Sequence, residues 1–304
     1  MGVRFLGALE LPRARFGGIE MVELSGLAYD ADENVVYALS DQGALFHLRL
    51  RLQDDVLAGV EVLAAHALRD EAGRPLRGTA ADAEGLAALD GRNGKTGDAR
   101  LLVSFERRTR VAEYSTTGRL LRLLPLPASI ANARFASSNR GLEALAADAA
   151  GNLYVAPERP LRGEGASSLP LLALDGRRFD YPLTSGSTAL VGMDFMPDGS
   201  LLVLERDLDL LMLRLSIRLR LVDDMSPERE GGALSARDLA VFDTTGGWRM
   251  DNFEGLTRLQ GEHILMVSDD NQSVMQRTLM VLLERVPGRD GRSPKFERVQ
   301  GPQH

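Results

Sequence analysis

One pattern recurs five times along this chain of 304 residues. Each copy opens with a glycine and an apolar residue, continues through a short apolar run and a turn, and ends in a second apolar run followed by a carboxylate. The five openings are Gly26-Leu27, Gly85-Leu86, Gly141-Leu142, Gly192-Met193 and Gly255-Leu256. Their glycines are 59, 56, 51 and 63 residues apart, and repeats of this length built from short strands are typical of propellers.

Each copy has the length of a β-hairpin. The closing carboxylates are Asp41, Glu106, Glu158, Glu205 and Asp269. They follow their glycines by 15, 21, 17, 13 and 14 residues, which leaves room for two strands of about five residues and a turn. With further alternating runs between the copies, such as Leu213 to Leu221, about four strands per copy are predicted.

The predicted fold is therefore all-β, a single β-propeller of five four-stranded blades. A sixth blade stays open in the polar stretch 223–247, whereas a β-sandwich would not explain five copies. The short apolar run from Phe5 to Leu11 is expected to complete the last blade, so that the N-terminal strand closes the ring. We predict a propeller domain at residues 1–286 and a charged, mobile tail at 287–304.

Composition excludes several classes of partner. The net charge is −7 and the pI is near 5.3, which argues against nucleic acid because such partners require a basic surface. The chain has no cysteine, so disulfides, thiolate metal sites and a cysteine nucleophile are impossible. No apolar run approaches the length of a membrane span, and the N-terminus lacks a signal-peptide pattern. We expect a monomer that acts on a small molecule.

The closing carboxylates are expected to gather at one place. The two strands of a hairpin are antiparallel, so the start of the first strand lies beside the end of the second. In a propeller the first strand of each blade lines the channel, which places these ends around one channel mouth. Four further acids lie close to the opening glycines and are expected at the same mouth: Glu84, Glu143, Asp194 and Glu254. Carboxylates at this density repel one another unless a cation neutralises them, and oxygen ligands favour Ca²⁺.

Three closing acids are followed by arginine, at Arg107, Arg159 and Arg206. These guanidinium groups could pair with the acids or hold an anionic substrate. No serine lies between two glycines in the nucleophile-elbow pattern, and Ser25, Ser104 and Ser268 have no evident histidine partner. Water activated by a metal or a carboxylate is therefore the expected nucleophile if the chain is an enzyme.

The chain resembles the phytase-like family with esterase-like activity, a family of β-propellers. The residues that carry the resemblance are Ser25-Gly26-Leu27 with Ser40-Asp41, Asp82-Ala83-Glu84-Gly85-Leu86 with Glu106-Arg107, Asn139-Arg140-Gly141-Leu142-Glu143, and Asn252-Phe253-Glu254-Gly255-Leu256 with Ser268-Asp269-Asp270-Asn271. The resemblance implies the propeller fold, export to the periplasm or outside the cell, and an acidic site for phosphoesters or carboxylic esters. A cytoplasmic location stays open, since no signal peptide is present.

Our leading hypothesis is a metal-dependent hydrolase of a small anionic ester. Glu143 and Asp269 are expected as catalytic residues, and Arg107, Arg159 and Arg206 as substrate-binding residues. The expected Ca²⁺ ligands are Glu84, Glu254, Asp41, Glu106 and Glu158. The alternatives are a non-catalytic binding propeller with a structural Ca²⁺ ion and a lactonase of the gluconolactonase-like propeller class.

Overall fold

The computed structural model describes residues 1–136, 141–209, 214–226, 229–244, 251–273 and 276–287. Within them lie five four-stranded antiparallel sheets. The first sheet contains β4 (Leu24–Asp30), β5 (Val35–Ser40), β6 (Ala44–Gln53) and β7 (Val56–Ala67). The second contains β8 (Ala83–Leu89), β9 (Arg100–Phe105), β10 (Arg110–Ser115) and β11 (Leu120–Leu123).

The remaining sheets repeat this order of neighbouring strands. The third contains β12 (Leu142–Ala147), β13 (Leu153–Pro157), β14 (Ser168–Ala173) and β15 (Arg178–Pro182). The fourth contains β16 (Thr188–Phe195), β17 (Leu201–Asp209), β18 (Arg214–Val222) and β19 (Ala236–Asp243). The fifth contains β20 (Asn252–Arg258), β21 (His263–Asp269), β22 (Thr278–Val286) and β1 (Gly2–Leu11). Besides these blades there are a small hairpin of β2 (Arg15–Phe16) and β3 (Ile19–Glu20), a 3-10 turn (Gly78–Ala80) and one short helix, α1 (Ala128–Ala131).

The sheets form a closed ring. The first strands of the blades, β4, β8, β12, β16 and β20, each contact the first strand of the next blade, and β20 contacts β4. The N-terminal β1 pairs antiparallel with β22 as the outer strand of the fifth blade. The fold is therefore a five-bladed β-propeller closed by the N-terminal strand, as the sequence predicted, and the stretch 223–247 contributes β19 to the fourth blade instead of a sixth blade.

The hydrophobic core is divided among the contacts between blades. Five clusters of buried apolar side chains each join the strands of two consecutive blades. One of them packs Leu6 and Leu11 of β1 against Leu48 of the first blade and Leu282 of the fifth. Because the clusters follow one another around the ring, each blade is stabilised by both of its neighbours.

The recurring glycines allow the inner strands to approach one another closely. A Cβ atom at Gly26 would lie 2.6 Å from the backbone oxygen of Glu84, and one at Gly85 would lie 2.7 Å from the backbone nitrogen of Leu145. Comparable clashes with the neighbouring blade would arise at Gly141 and Gly192, whereas a Cβ at Gly255 would meet Val267 of its own blade at 2.5 Å and Leu27 of the first blade at 3.1 Å. The pattern found in the sequence thus marks the points where consecutive blades touch near the channel.

The boundaries of several elements differ from the sequence prediction. The N-terminal strand begins at Gly2 instead of Phe5, and the last strand begins at Thr278. Residues 288–304 of the predicted tail lie outside the described part of the chain. No helix in the described ranges has the length and apolar character needed to cross a membrane.

We predict that Gly26→Ala lowers the free energy of unfolding by about 1–3 kcal/mol, because the new methyl group meets the backbone of the next blade. Gly186→Ala is the matched control, since a Cβ there meets nothing within 4 Å; its effect should stay within about 0.5 kcal/mol. Urea denaturation measures both. Equal stabilities of the two variants would contradict the role assigned to the glycines.

Candidate functional site

A β-bulge interrupts the pairing of every inner strand with its neighbour, at the same place in each blade. The interruptions lie between Leu24 and Gly26, Ala83 and Leu86, Leu142 and Ala144, Leu190 and Gly192, and Phe253 and Gly255. The residues within them include Ser25, Glu84, Glu143, Val191 and Glu254. A bulge re-aims a side chain that regular alternation would point elsewhere, and here it brings three glutamates together.

Another set of side chains lies at or near the C-terminal end of the strand next to each inner strand, namely β5, β9, β13, β17 and β21. The strand registers place Asp41, Glu106, Glu158, Arg206 and Asp269 at equivalent positions. Opposite three of them stand Glu23, Asp82 and Asn252, paired through the backbone: Asp41 N donates to Glu23 O, Glu106 N donates to Asp82 O, and Asp269 pairs with Asn252. Glu23, Asp82 and Asn252 were not predicted as site residues, although each lies at or just before the start of an inner strand.

Two acids expected at this mouth lie elsewhere. Glu205 pairs with Leu190 one residue before the equivalent position, which Arg206 occupies. Its buried carboxylate accepts hydrogen bonds from Tyr181 Oη at 2.9 Å and Thr184 Oγ1 at 2.7 Å, so it joins the third and fourth blades. Asp194 lies at the far end of β16, where it accepts a hydrogen bond from Arg258 N at 2.7 Å.

Arg206 holds one side of the acidic cluster. Its guanidinium donates to Glu254 Oε1 at 2.5 Å and to Glu158 Oε1 at 3.3 Å, and it also bonds the side-chain oxygen of Asn252. Asn252 in turn donates to Glu254 Oε1 at 2.8 Å. The side chains of Arg206, Glu254 and Glu158 are at most 16% exposed. Arg206 and Glu254 therefore form an internal ion pair that Asn252 and Glu158 extend.

Several other carboxylate oxygen atoms of the cluster lie close together away from the guanidinium of Arg206. Asp82, Glu84 and Glu106 each offer one carboxylate oxygen, and these three atoms lie within 4.8 Å of one another. Glu143 is only 8% exposed, and no described residue donates a hydrogen bond to its carboxylate. Asp41 has a buried Oδ1 atom without a hydrogen-bond partner in the described structure. This donor set fits a hard divalent cation, which is bound through several carboxylate oxygens.

Burial and mutual repulsion raise the carboxyl pKa values of the cluster. Desolvation is the largest cause for each group, and the neighbouring acids add to it. The pKa of Asp41 rises to about 8, and those of Glu106 and Asp269 rise to about 7. The pKa values of Glu84 and Glu143 are also raised. Burial raises the pKa of Glu254 as well, although Arg206 opposes the shift.

The other two predicted substrate-binding arginines lie at the edge of the cluster. Arg107 Nε is 3.1 Å from Asp82 Oδ2, and the Arg107 side chain is 44% exposed. Arg159 Nη1 donates to the backbone oxygen of Ser187 at 2.5 Å. Of the predicted set, the structure thus brings Asp41, Glu84, Glu106, Glu143, Glu158, Arg206, Glu254 and Asp269 together at one mouth and places Arg107 and Arg159 beside it.

The motif from Ser268 to Asn271 supports the site with three different side chains. Ser268 Oγ donates to Arg277 O at 2.7 Å and accepts from Leu279 N at 2.8 Å, which ties β21 to β22. Asp269 faces the cluster. Asp270, only 1% exposed, accepts from Arg13 Nε at 2.8 Å and from Glu23 N at 3.2 Å, so it anchors the segment before β4.

Serine and histidine have structural positions. Ser25 Oγ donates to Ala83 O at 2.8 Å, and Ser104 Oγ accepts from Gly85 N at 3.0 Å, so both join neighbouring strands. His47 and His66 lie in β6 and β7 away from the channel, and their rings contact each other. In the described part of the chain, no histidine joins the acidic cluster. The Asn139-Arg140 part of the third motif lies outside the described residues.

We predict that the metal-free protein is more stable at pH 6.0 than at pH 8.5. The folded state binds more protons than the unfolded state between pH 4 and pH 8, because the folded pKa values of Asp41, Glu106 and Asp269 are raised. Stability contributed by these groups is therefore lost as pH rises through their folded pKa values. The difference should be about 2 kcal/mol, or about 4 °C or more in melting temperature.

Asp41→Asn should reduce this pH dependence, while Glu71→Gln, which changes an exposed loop residue, should leave it unchanged. Calorimetry in chelator at both pH values measures the effect. A wild-type protein that is more stable at pH 8.5 would contradict the electrostatic description of the cluster.

Comparisons with known proteins place this geometry in a family. The family model described as "Phytase-like: Esterase-like activity of phytase" matches residues 19–272, which include all the mouth residues. No curated protein matches the chain.

Several solved structures are similar at low identity. A catalytically inactive virginiamycin B lyase from Staphylococcus aureus with quinupristin is 9% identical, over 86% of this chain and 80% of that chain, with a TM-score of 0.40. A protein of unknown function from Bacteroides caccae is 13% identical over 80% and 69%, with a TM-score of 0.39. U3-55K is 10% identical over 88% and 77%, with a TM-score of 0.42. These likenesses are too remote to bear on function. Through the family match over most of its length, the chain belongs to the phytase-like family described by the esterase-like activity of phytase.

Proposed function

We propose that the protein is a Ca²⁺-dependent hydrolase of a phosphoester or carboxylic ester, and that it acts at the acidic mouth of the channel. The observation that carries the proposal is the convergence of Asp82 and the seven predicted carboxylates at one mouth, where Arg206 is bonded to two of them. Such a set repels itself at neutral pH, so a cation would relieve its charge. Family membership supports ester hydrolysis and a location outside the cytoplasm.

The residues best suited to hold the ion are Asp82, Glu84 and Glu106, whose oxygen atoms lie close enough to share one cation. Asp41 adds a buried oxygen without a hydrogen-bond partner. Glu158 and Glu254, also expected as ligands from the sequence, bond Arg206 and would act by balancing the charge. When bound, Ca²⁺ would supply Lewis acidity to an ester oxygen and neutralise the carboxylates.

Glu143 and Asp269 are proposed as the acid and base. Neither is bonded to Arg206, and both face the cluster with little exposure to solvent, 8% for Glu143 and 7% for Asp269. Asp269 is held by Asn271 N at 2.7 Å on one oxygen, which orients the other oxygen. In this arrangement Asp269 removes a proton from the attacking water, and Glu143 holds the proton that the leaving oxygen receives.

Arg107 and Arg159 are proposed to orient the anionic group of the substrate at the rim. Arg107 bonds Asp82 through its Nε atom and its backbone N–H. The two terminal nitrogen atoms of its exposed guanidinium are therefore available to a substrate. Arg159 is directed along the rim by Ser187. Arg206 would keep Glu254 and Glu158 in place beneath the substrate.

We predict that Ca²⁺ raises the melting temperature and that EDTA lowers it. Ligand bound only to the folded state stabilises it by about 2.7 kcal/mol at a hundredfold excess over Kd. Mg²⁺ should be a poor substitute because it requires a tighter octahedral shell. Glu84→Gln should abolish most of the shift, whereas Glu71→Gln should retain it. Identical melting curves in Ca²⁺ and EDTA, with demetallation verified by elemental analysis, would refute the cation site.

We predict that the purified protein hydrolyses 4-nitrophenyl phosphate or 4-nitrophenyl acetate in Ca²⁺ and loses this activity in EDTA. Glu143→Gln should lower kcat about 10²- to 10⁴-fold, the usual contribution of a proton-transfer group. Arg107→Gln should chiefly raise KM for the anionic substrate. Release of 4-nitrophenol measures both parameters.

The same assay separates the enzyme from a non-catalytic propeller. No turnover by the Ca²⁺-loaded protein on either substrate class, together with a Ca²⁺-dependent melting temperature, would favour a structural ion and a binding role. Turnover that persists unchanged in Glu143→Gln would exclude the proposed role of Glu143.

A further inference from the structure

The channel has a second mouth, at the hairpin-turn end of the inner strands and opposite the acidic cluster. A cavity of about 730 Å³ opens there. It is lined by the last residues of inner strands and by the turns that follow them, from all five blades. Its size is that of a pocket for a small organic molecule.

The inner wall of this cavity is apolar. Side chains that line it include Leu27, Leu86, Ala87, Ala147, Phe195 and Met196. An aromatic or aliphatic body could bury its surface against them.

Two arginines line the cavity, the exposed Arg92 and the half-buried Arg258, and in the described part of the chain neither has a carboxylate within salt-bridge distance. Arg92, in the turn after β8, donates from Nη2 to Arg258 O at 2.6 Å and from Nη1 to Leu259 O at 3.3 Å. Arg258, at the end of β20, donates from Nε to Phe195 O at 2.7 Å. All these acceptors are neutral backbone carbonyls. Neither guanidinium forms an ion pair with any residue in the described ranges.

The acids around the cavity are engaged by other groups. Asp194 accepts from Phe195 N at 2.7 Å, Thr257 Oγ1 at 3.0 Å and Arg258 N at 2.7 Å. Asp90 forms an ion pair with Arg100 at 2.6 Å, and Asp148 caps its own turn by accepting from Asn152 N at 2.8 Å. The charge of Asp194 acts on both guanidinium groups, so two arginine charges share one nearby buried carboxylate and are only partly compensated. Burial and the neighbouring Arg258 lower the pKa of Arg92, which shows that the two positive charges repel each other.

We propose that this second mouth is a binding site for an organic anion, with an apolar body against the inner wall and a carboxylate or phosphate head on Arg92 and Arg258. The guanidinium groups supply charge-assisted hydrogen bonds to the head. Arg92 also lies over the ring of Tyr29, at 5.2 Å from its centroid, which holds the guanidinium at the rim. The site is separate from the acidic mouth and does not depend on the proposed hydrolase activity.

The test uses 8-anilinonaphthalene-1-sulfonate, an aromatic anion whose fluorescence rises in apolar surroundings. N-phenyl-1-naphthylamine, which has the same aromatic body without the sulfonate, is the neutral control. We expect one bound sulfonate per chain and weaker binding of the neutral compound. Octanoate should displace the sulfonate, whereas octanol, which has no charge, should displace it poorly. A parallel titration with octyl phosphate shows whether the site prefers a carboxylate or a phosphate head.

Arg92→Gln should weaken binding of the sulfonate about tenfold, and Arg92→Lys should retain much of the affinity. Arg258→Gln should act in the same direction, but Arg92 is the safer position because Arg258 also joins two blades. Arg74→Gln, which removes an exposed arginine far from the cavity, is the matched control. Glu84→Gln should bind the sulfonate as wild type does, which separates this site from the acidic mouth.

Equal affinities of wild type and a folded Arg92→Gln variant would overturn the proposal, as would equal affinities for the charged and neutral compounds. Absence of saturable binding would overturn it too. Circular dichroism and the melting temperature establish that each variant is folded.

Discussion

Repulsion among carboxylates at one end of the channel is the constraint around which this propeller is arranged. Five inner strands approach closely, and a bulge interrupts each one at the same place. Glutamates occupy three of the five bulges, and acids occupy four of the five positions after the second strands. Arg206 lies within this group and is bonded to Glu254 and Glu158, while Arg107 and Arg159 pair with Asp82 and Glu158 at its edge. Among the described residues the acids of the cluster outnumber these arginines, and desolvation and mutual repulsion raise the pKa values of Asp41, Glu106 and Asp269.

The ring can tolerate this repulsion because its stabilising contacts lie elsewhere. Buried apolar clusters join every pair of neighbouring blades, and β1 joins the two ends of the chain in one sheet. Free energy from burial of apolar surface thus holds the acids together against their repulsion. Such stored repulsion is characteristic of functional sites, where perturbed carboxyl pKa values cluster.

The sequence predicted the fold well because the repeat is a consequence of the packing. Glycine follows the bulge of the inner strand in four blades, and Ala144 takes that position in the third, where Gly141 lies before the bulge instead; a glycine near this point therefore marked every blade.

The site was predicted less completely than the fold. Hairpin lengths differ between blades, so counting from the glycine to the nearest acid assigned Glu205 to the mouth of the channel. The strand register places Arg206 there instead. Glu84, Glu143 and Glu254 were predicted at the mouth, but bulges cannot be read from alternation of apolar and polar residues, so their common position within the bulges emerged only from the structure. Asp82 and Glu23 were missed because they precede the apolar runs used to find the strands.

The most direct test of the account is the proton balance of cation binding. Isothermal titration of metal-free protein with Ca²⁺ at pH 7, in two buffers of different ionisation enthalpy, gives the number of protons released for each ion bound. Because Asp41, Glu106 and their neighbours have raised pKa values, the account predicts saturable binding with release of protons, and loss of both in Glu84→Gln. Absence of saturable Ca²⁺ binding, or binding without proton release, would contradict it.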